Sequence, residues 1–248
     1  MIKYYGTPMT PKQVLYACLT GRNALVSFAH PCDIKHVFSI CDNVILDNGA
    51  FSFWNKGYHK IEWEDYYAWI ERFPSKQFFF IPDVIEGSEK ENDSLIEKCP
   101  IPGGVPIWHL NESLERLMEI SKTFSYIALG SSSTITHCGT KEQMKAWVEK
   151  MENVMRILCT DEGIPTVKIH MLRCLNPRVF TKYPFHSGDS ANVARNHHRY
   201  NTHKADEHTG VPCSYDGWQK IIKRIEAFDA PTKYTFAKKP TMVQMRLI

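Results

Sequence analysis

The sequence predicts an α/β protein built as a single (β/α)8 barrel of the TIM type. Three observations carry this. Short runs rich in β-branched and aromatic residues alternate with amphipathic stretches. Those runs end in polar residues. No linker, repeat or low-complexity segment divides the 248 residues. Buried parallel strands read as near-continuous apolar runs, and strand–helix alternation implies a parallel sheet. Residues 1–248 are therefore read as one domain with a basic C-terminal segment, a size common for one barrel.

Taken in order, the strand candidates are 24–29 (ALVSFA), 43–46 (NVIL), 78–81 (FFFI), 105–108 (VPIW), 126–129 (YIAL) and 167–172 (VKIHML). Residues 185–187 supply a seventh and residues 3–5 a first, and eight strands close a barrel. The helix candidates lie between them. Residues 63–73 and 113–124 place aromatic or aliphatic side chains at mixed three-and-four spacing. Residues 141–158 do so over the longest stretch, with Met144, Trp147, Val148, Met151, Val154, Met155 and Leu158 on one side. Thr140 before Glu142 and Gln143 marks its start and Gly163 its stop. A last helix is expected over 215–228.

Composition excludes several classes. Hydrophobic residues at 43% and charged residues at 23% describe a globular chain rather than a disordered one. The net charge of +3 is too small to name a partner, but its distribution is uneven. Residues 195–204 read RNHHRYNTHK, and residues 233–246 carry four cations and no acid. The eight cysteines form no C-x-x-C pair, which fits neither a zinc ribbon nor a disulfide scaffold. An oxidised Cys32–Cys41 pair is the lesser alternative. The N-terminus has no apolar leader core, and no run reaches membrane-spanning length. The expectation is a reduced, soluble, cytoplasmic protein with no structural metal and no cofactor.

Chemistry is expected where the strands end, since the active site of such a barrel lies at their carboxyl ends. After NVIL come Asp47, Asn48, Gly49, Ala50, Phe51 and Ser52. After FFFI come Pro82 and Asp83, and after VPIW comes His109. Gly130 and Ser131 follow YIAL, and Asp189 follows the run at 185–187. Each has a plainer role open to it. Asp83 after proline suits a turn or cap, His109 a bonded wall position, and Gly130 with the serines a turn or a phosphate nest. Acids at three strand ends together are harder to dismiss, because burying charge is costly without a partner or a task.

The segment DNGAFS (47–52) resembles the D-S-G-G-F-Q or D-S-G-A-F strand end of guanine transglycosylases, the tRNA enzymes and their phage DNA-directed relatives. The likeness continues in order. Ile81-Pro82-Asp83 falls where that family recognises the guanine edge, YIALG (126–130) is similar to its base-binding strand, and HSGDS (186–190) falls at its nucleophilic aspartate. The resemblance implies a barrel enzyme that exchanges guanine in a polynucleotide for a 7-deazaguanine such as queuine. Asp189 would be the nucleophile and Asp47 the general acid/base. Asp83, Phe51, Trp108, His109, Gly130 and Ser131 would bind the base, with Phe51 or Trp108 stacking on it. Arg195, Arg199 and Lys204 would meet phosphates, although the same run also suits a solvated loop. The family's zinc site has no counterpart, since Cys213 with His203 and His208 is too sparse, and its Gln-Gly-Gly strand end is replaced around Trp108-His109. Both departures favour a reduced, phage-type enzyme on DNA, which in a phage-encoded case would work in the host cytoplasm.

The partners implied are DNA, or tRNA in the alternative, and a free 7-deazaguanine base, with no membrane. A second alternative is a carboxylate-dependent nucleoside or sugar hydrolase on the same barrel. A third is a non-catalytic nucleic-acid-binding protein, which retention of both Asp47 and Asp189 disfavours.

Overall fold

The computed structural model describes residues 1–58, 61–73, 78–202 and 214–237. The chain opens with β1 (Ile2–Gly6), α1 (Lys12–Leu19), β2 (Asn23–Ser27), α2 (Ile34–Ile40) and β3 (Asn43–Asp47). Three helices follow, α3 (Ala50–Asn55), α4 (Glu64–Arg72) and α5 (Glu89–Glu97). Then come β4 (Ile107–His109), α6 (Leu114–Thr123), β5 (Tyr126–Gly130), α7 (Lys141–Leu158) and β6 (Lys168–Met171). The last elements are α8 (Pro177–Phe180), β7 (Ser187–Ser190), α9 (Asn192–Asn196), a 3-10 turn (His197–Tyr200) and α10 (Gly217–Glu226).

The seven strands form one curled, wholly parallel sheet in the order β3-β2-β1-β7-β6-β5-β4. Side chains alternate across it, as the period of two requires. Tyr4, Leu25, Ile45, Val105, Ile107 and Ala128 pack with Phe78 and Phe80 on the inner face. Tyr5, Val26, Leu46, Trp108, Leu129 and Met171 point the other way, into the layer shared with the helices. Burying that second face is what holds the helices on: Trp147, Met151, Met155 and Leu158 of α7 are all fully buried against it.

Among the described residues an eighth strand does not form. Residues 78–81 make only isolated bridges, to Leu46 within β3 and to Val105 ahead of β4. The backbone bonds there are Leu46 N–H to Phe78 O at 3.3 Å, Phe80 N–H to Leu46 O at 3.0 Å, Ile81 N–H to Val105 O at 2.9 Å and Val105 N–H to Phe79 O at 2.8 Å. The ladder stops because the next groups are engaged or missing. Pro82 and Pro106 carry no N–H. The Phe80 carbonyl accepts from the Tyr66 hydroxyl at 2.7 Å, and the Ile81 carbonyl from Asn48 Nδ2 at 2.9 Å.

The helix expectations hold closely. α7 starts at a complete capping box of Thr140 and Gln143, and α5 at one of Ser88 and Glu91. Gly163 is not the stop of α7. The helix ends at Leu158 on a bond from the Cys159 N–H to Met155 O, and Gly163, at φ +81°, turns the following loop. The seventh strand also begins later than expected, at Ser187. Cys32 and Cys41 are free thiols. Among the described residues no helix is long and apolar enough to cross a membrane.

Candidate active site

Parallel strands put all their carboxyl ends on one rim. Asp47 ends β3, His109 ends β4, Gly130 ends β5, and Asp189 lies next to the end of β7. Alternation carries three of these inward: Asp47 follows Ile45, His109 follows Ile107 and Gly130 follows Ala128, all inner-face residues.

The DNG turn is built for this rim. Gly49 adopts φ +79°, and a Cβ there would lie 2.8 Å from both the backbone nitrogen and the Cβ of Ala29. Its N–H donates to Asp47 Oδ2 at 3.1 Å. Asn48, fully buried, donates Nδ2 to the Ile81 carbonyl at 2.9 Å and to Asp83 Oδ1 at 2.8 Å, while its Oδ1 accepts from the Ala50 N–H at 2.8 Å. One asparagine therefore starts α3 and ties β3 to Asp83. Burial pushes the Asp47 carboxyl up to about 7, and the charges of Asp189 and Asp83 push the same way. The Ser27 hydroxyl and the Gly49 N–H oppose them.

Asp83 heads a buried chain of charges. His109 Nε2 is 3.0 Å from Asp83 Oδ2, and its Nδ1 is 3.6 Å from Glu112 Oε1. Glu112 also accepts from the His109 backbone N–H at 2.9 Å, from Asn92 Nδ2 at 2.9 Å and from Arg116 Nη1. Arg116 Nε then reaches Asp93 Oδ1 at 2.7 Å. Burial works against a charged imidazole, but the two carboxylates outweigh it and raise His109 to about 10. Burial likewise opposes the Glu112 charge, and His109 and Arg116 lower its carboxyl on balance.

On the opposite side of the rim, Asp189 Oδ1 accepts from His170 Nε2 at 3.1 Å and from the Arg173 N–H at 2.9 Å. Its Oδ2 has no hydrogen-bond partner among the described residues. His170 is wholly buried under the inner aromatic cluster, 5.0 Å from the Phe80 ring centroid. Its Nδ1 meets Ser187 Oγ at 2.5 Å, and Ser187 Oγ in turn meets the Tyr126 hydroxyl at 2.5 Å. Arg173 is a non-glycine residue at φ +61°. That geometry aims its N–H at Asp189 and lays its guanidinium 3.7 Å from the Phe51 ring centroid.

The rim thus gathers Asp47, Asp83, His109, Gly130 and Asp189, with Phe51 under Arg173. A Cβ on Gly130 would fall 2.7 Å from His109 Cδ2, so the glycine makes room for that ring. Ser131 is half-buried, and its hydroxyl has no partner among the described residues. A cavity of about 590 Å³ opens beside Asp83, lined by Ala50, Trp54, Tyr58, Trp63 and Lys90 among others. Trp108 does not reach the rim. It is fully buried on the helix side, its Nε1 donating to the Ser113 carbonyl at 3.0 Å, which corrects its expected stacking role. Arg195 in α9 is exposed and close enough to disfavour the Arg173 charge, and Arg199 is exposed in the 3-10 turn. Lys204, His203, His208 and Cys213 lie outside the described residues.

Sequence reasoning missed Asn48, Glu112, Arg116, His170 and Arg173. The visible signal for His170 was an ionisable residue set between the apolar Ile169 and Met171 inside a strand run. For Glu112 and Arg116 it was an i,i+4 acid–base pair directly after a strand end. Among the described residues no group of three or more His, Cys, Asp or Glu is arranged to hold a metal ion. No family model, curated protein or solved structure matches this chain.

Proposed function

We propose that this chain is a base-exchange glycosyltransferase that replaces guanine in a polynucleotide, DNA in the first instance, with a free 7-deazaguanine. The observation that carries the reading is the pair Asp47 and Asp189 on one rim in unlike settings. Asp47 has its carboxyl raised to about 7, and Asp189 is fixed by two N–H donors with Oδ2 left open. The resemblance of DNGAFS and HSGDS to guanine transglycosylases agrees with it. So do the bridges by which residues 78–81 reach both edges of the curled sheet.

In this reaction Asp189 Oδ2 attacks C1′ of the target nucleotide as the bond to the guanine nitrogen breaks. The oxocarbenium-like centre is stabilised by the carboxylate before it collapses to a covalent aspartyl-sugar. Protonated Asp47 gives its proton to the departing guanine. The incoming base then takes the sugar from Asp189 and surrenders its ring proton to Asp47, which restores both carboxyls. Asp83 accepts from donor groups on the base edge, and Phe51 offers the face on which the ring stacks. Arg195 and Arg199 meet the phosphates. A duplex would present its guanine only after flipping or local opening.

Incubation with labelled guanine and either DNA or tRNA tests the proposal, because the polymer that gains label is the substrate. Release of free base with no incorporation from either polymer would instead favour a hydrolase.

A further inference from the structure

We infer that His109 is a positioning residue: an imidazolium clamped between Asp83 and Glu112 that presents Asp83 at the rim as a fixed, anionic acceptor. This deepens the base-exchange reading and rests on it for the nature of the ligand, but the clamp itself can be tested without any ligand.

The argument begins with charge. Asp83, His109, Glu112 and Arg116 are all buried, and they alternate in sign from the rim towards Asp93, whose side chain is half open to solvent. Buried ionic chains seldom stabilise a fold better than apolar packing of the same volume, because desolvating each charge is expensive. A well-packed core would not need this one, and its inner end lies on the site.

Geometry then gives its direction. Asn48 and His109 each bond a different oxygen of Asp83, at 2.8 Å and 3.0 Å. With both oxygens pinned, the carboxylate cannot rotate. Its remaining lone pairs are left to accept donors from a ligand. Glu112 fixes His109 in the same manner, itself braced by Asn92 at 2.9 Å, by Arg116, and by its own contact to the His109 backbone N–H. Lys150 donates to the Glu112 backbone carbonyl at 2.7 Å. The groups facing the imidazole are therefore Asp83, Glu112 and, through Glu112, Arg116, with the bare Gly130 backbone against its edge. Two acids and one more distant cation leave the local balance negative, so the ring stays protonated at neutral pH, in accord with its raised value of about 10.

A fixed anionic acceptor selects ligands with paired N–H donors on a flat edge and disfavours ligands that present only acceptors. Guanine and 7-deazaguanine carry such an edge. The same clamp explains why a histidine stands at this strand end: a neutral amide could fill the space but could not join the two carboxylates of Asp83 and Glu112 through a cation.

Two measurements test this. The first is a ligand-free NMR titration of ¹⁵N-histidine-labelled protein. His109 is expected to remain doubly protonated to about pH 9, and to titrate at least one pH unit lower in Glu112→Gln, since one unit corresponds to about a tenfold change in proton affinity. A His109 that is neutral at pH 7 in the unmodified protein overturns the inference whatever the ligand. The second is equilibrium dialysis with labelled guanine, set beside urea unfolding of the same proteins. His109→Gln should bind guanine about tenfold more weakly than the parent. Unchanged guanine affinity in His109→Gln overturns the positioning role. A clamped, charged His109 in a protein that binds no guanine would support the clamp and overturn the base-exchange reading instead.

Discussion

Asp47 senses the charge of Asp189 across the rim, and that charge is one reason, after burial, that the Asp47 carboxyl is raised to about 7. Their surroundings suit different tasks. Asp189 takes N–H bonds from His170 and Arg173 on one oxygen, whereas Asp47 has the Gly49 N–H and the Ser27 hydroxyl near it. Under the proposed reaction, adduct formation in a single turnover should therefore fall as pH rises through about 7, where Asp47 would lose the proton meant for the departing guanine. Asp47→Asn should flatten that limb and leave a slow adduct that fails to resolve onto the incoming base. Asp189→Asn should give no adduct at any pH. Mass-spectrometric mapping of the trapped sugar to Asp47 would reverse the assignment.

The same raised carboxyl has a consequence for stability. Because the folded value of about 7 lies above the ordinary 3.8, the folded state binds more protons between those limits. Stability from this group is thus full below about pH 4 and is lost as pH rises through 7. Asp47→Asn removes the penalty and should stabilise the protein at pH 8 by about 2 kcal/mol, less than the whole shift implies because the carboxyl is partly open to water. At pH 4 the variant and the parent should unfold at nearly the same urea concentration. An equal gain at both pH values would mean that packing rather than charge is responsible.

Gly130→Ala tests the close approach of His109 to β5. The new methyl would stand 2.7 Å from His109 Cδ2, and β5 is held between β4 and β6 with no room to retreat. The ring must move, which should cost about 1–3 kcal/mol in denaturant unfolding, as overpacking commonly does. Guanine binding should weaken in the same protein. Full stability with full binding would show that the ring has slack.

These expectations also show how far the sequence could be read. Asp47, Asp83 and His109 were legible because each follows an apolar run, and a parallel sheet sends every such end to the same rim, whereas Asp189, inside the polar strand SGDS, was legible mainly through the resemblance of HSGDS. Trp108 was misjudged because adjacency to a strand end was weighed instead of parity. In VPIWH, Ile107 and His109 share the inner face, which leaves Trp108 outside. Parity would also have placed His170 inside, two residues before Leu172, which packs against the inner cluster. The Phe78–Ile81 run has the composition of a strand, but strand pairing depends on the free carbonyls and N–H groups of its neighbours. Tyr66, Asn48 and two prolines decide those, and composition does not report them. Arg173 was out of reach, since a left-handed arginine gives no compositional sign.

Trp108 and Phe51 should separate cleanly in experiment. Trp108→Phe loses the bond from Nε1 to the Ser113 carbonyl and leaves that carbonyl to find another partner. The expected outcome is a stability loss of about 1–2 kcal/mol with guanine affinity unchanged. Phe51→Ala removes the ring beneath Arg173 and should weaken guanine binding about tenfold or more, on the scale of 1–3 kcal/mol typical of base–aromatic stacking. Its effect on stability should be smaller, because Phe51 is only half-buried. If Trp108→Phe were the variant that lost guanine, the base would have to bind on the helix side of the sheet, which is filled by core.

Arg195 and Arg199 carry the last prediction. Both are exposed, on α9 and on the 3-10 turn that follow Asp189 in the chain, and neither has an ion-pair partner among the described residues. If Asp189 attacks the sugar as proposed, exposed cations on the elements that follow it in the chain are where a polynucleotide backbone would pass. Each phosphate they neutralise releases counterions, so the logarithm of affinity should fall with the logarithm of salt by about 0.7 per contact for a single strand. Replacing both with alanine should weaken single-stranded DNA binding about equally for every sequence tested and reduce the salt slope by about 1.4. Guanine binding measured with the free base should not change, since neither residue is part of the buried site. An unaltered slope would show that the 3-10 turn is only a solvated surface.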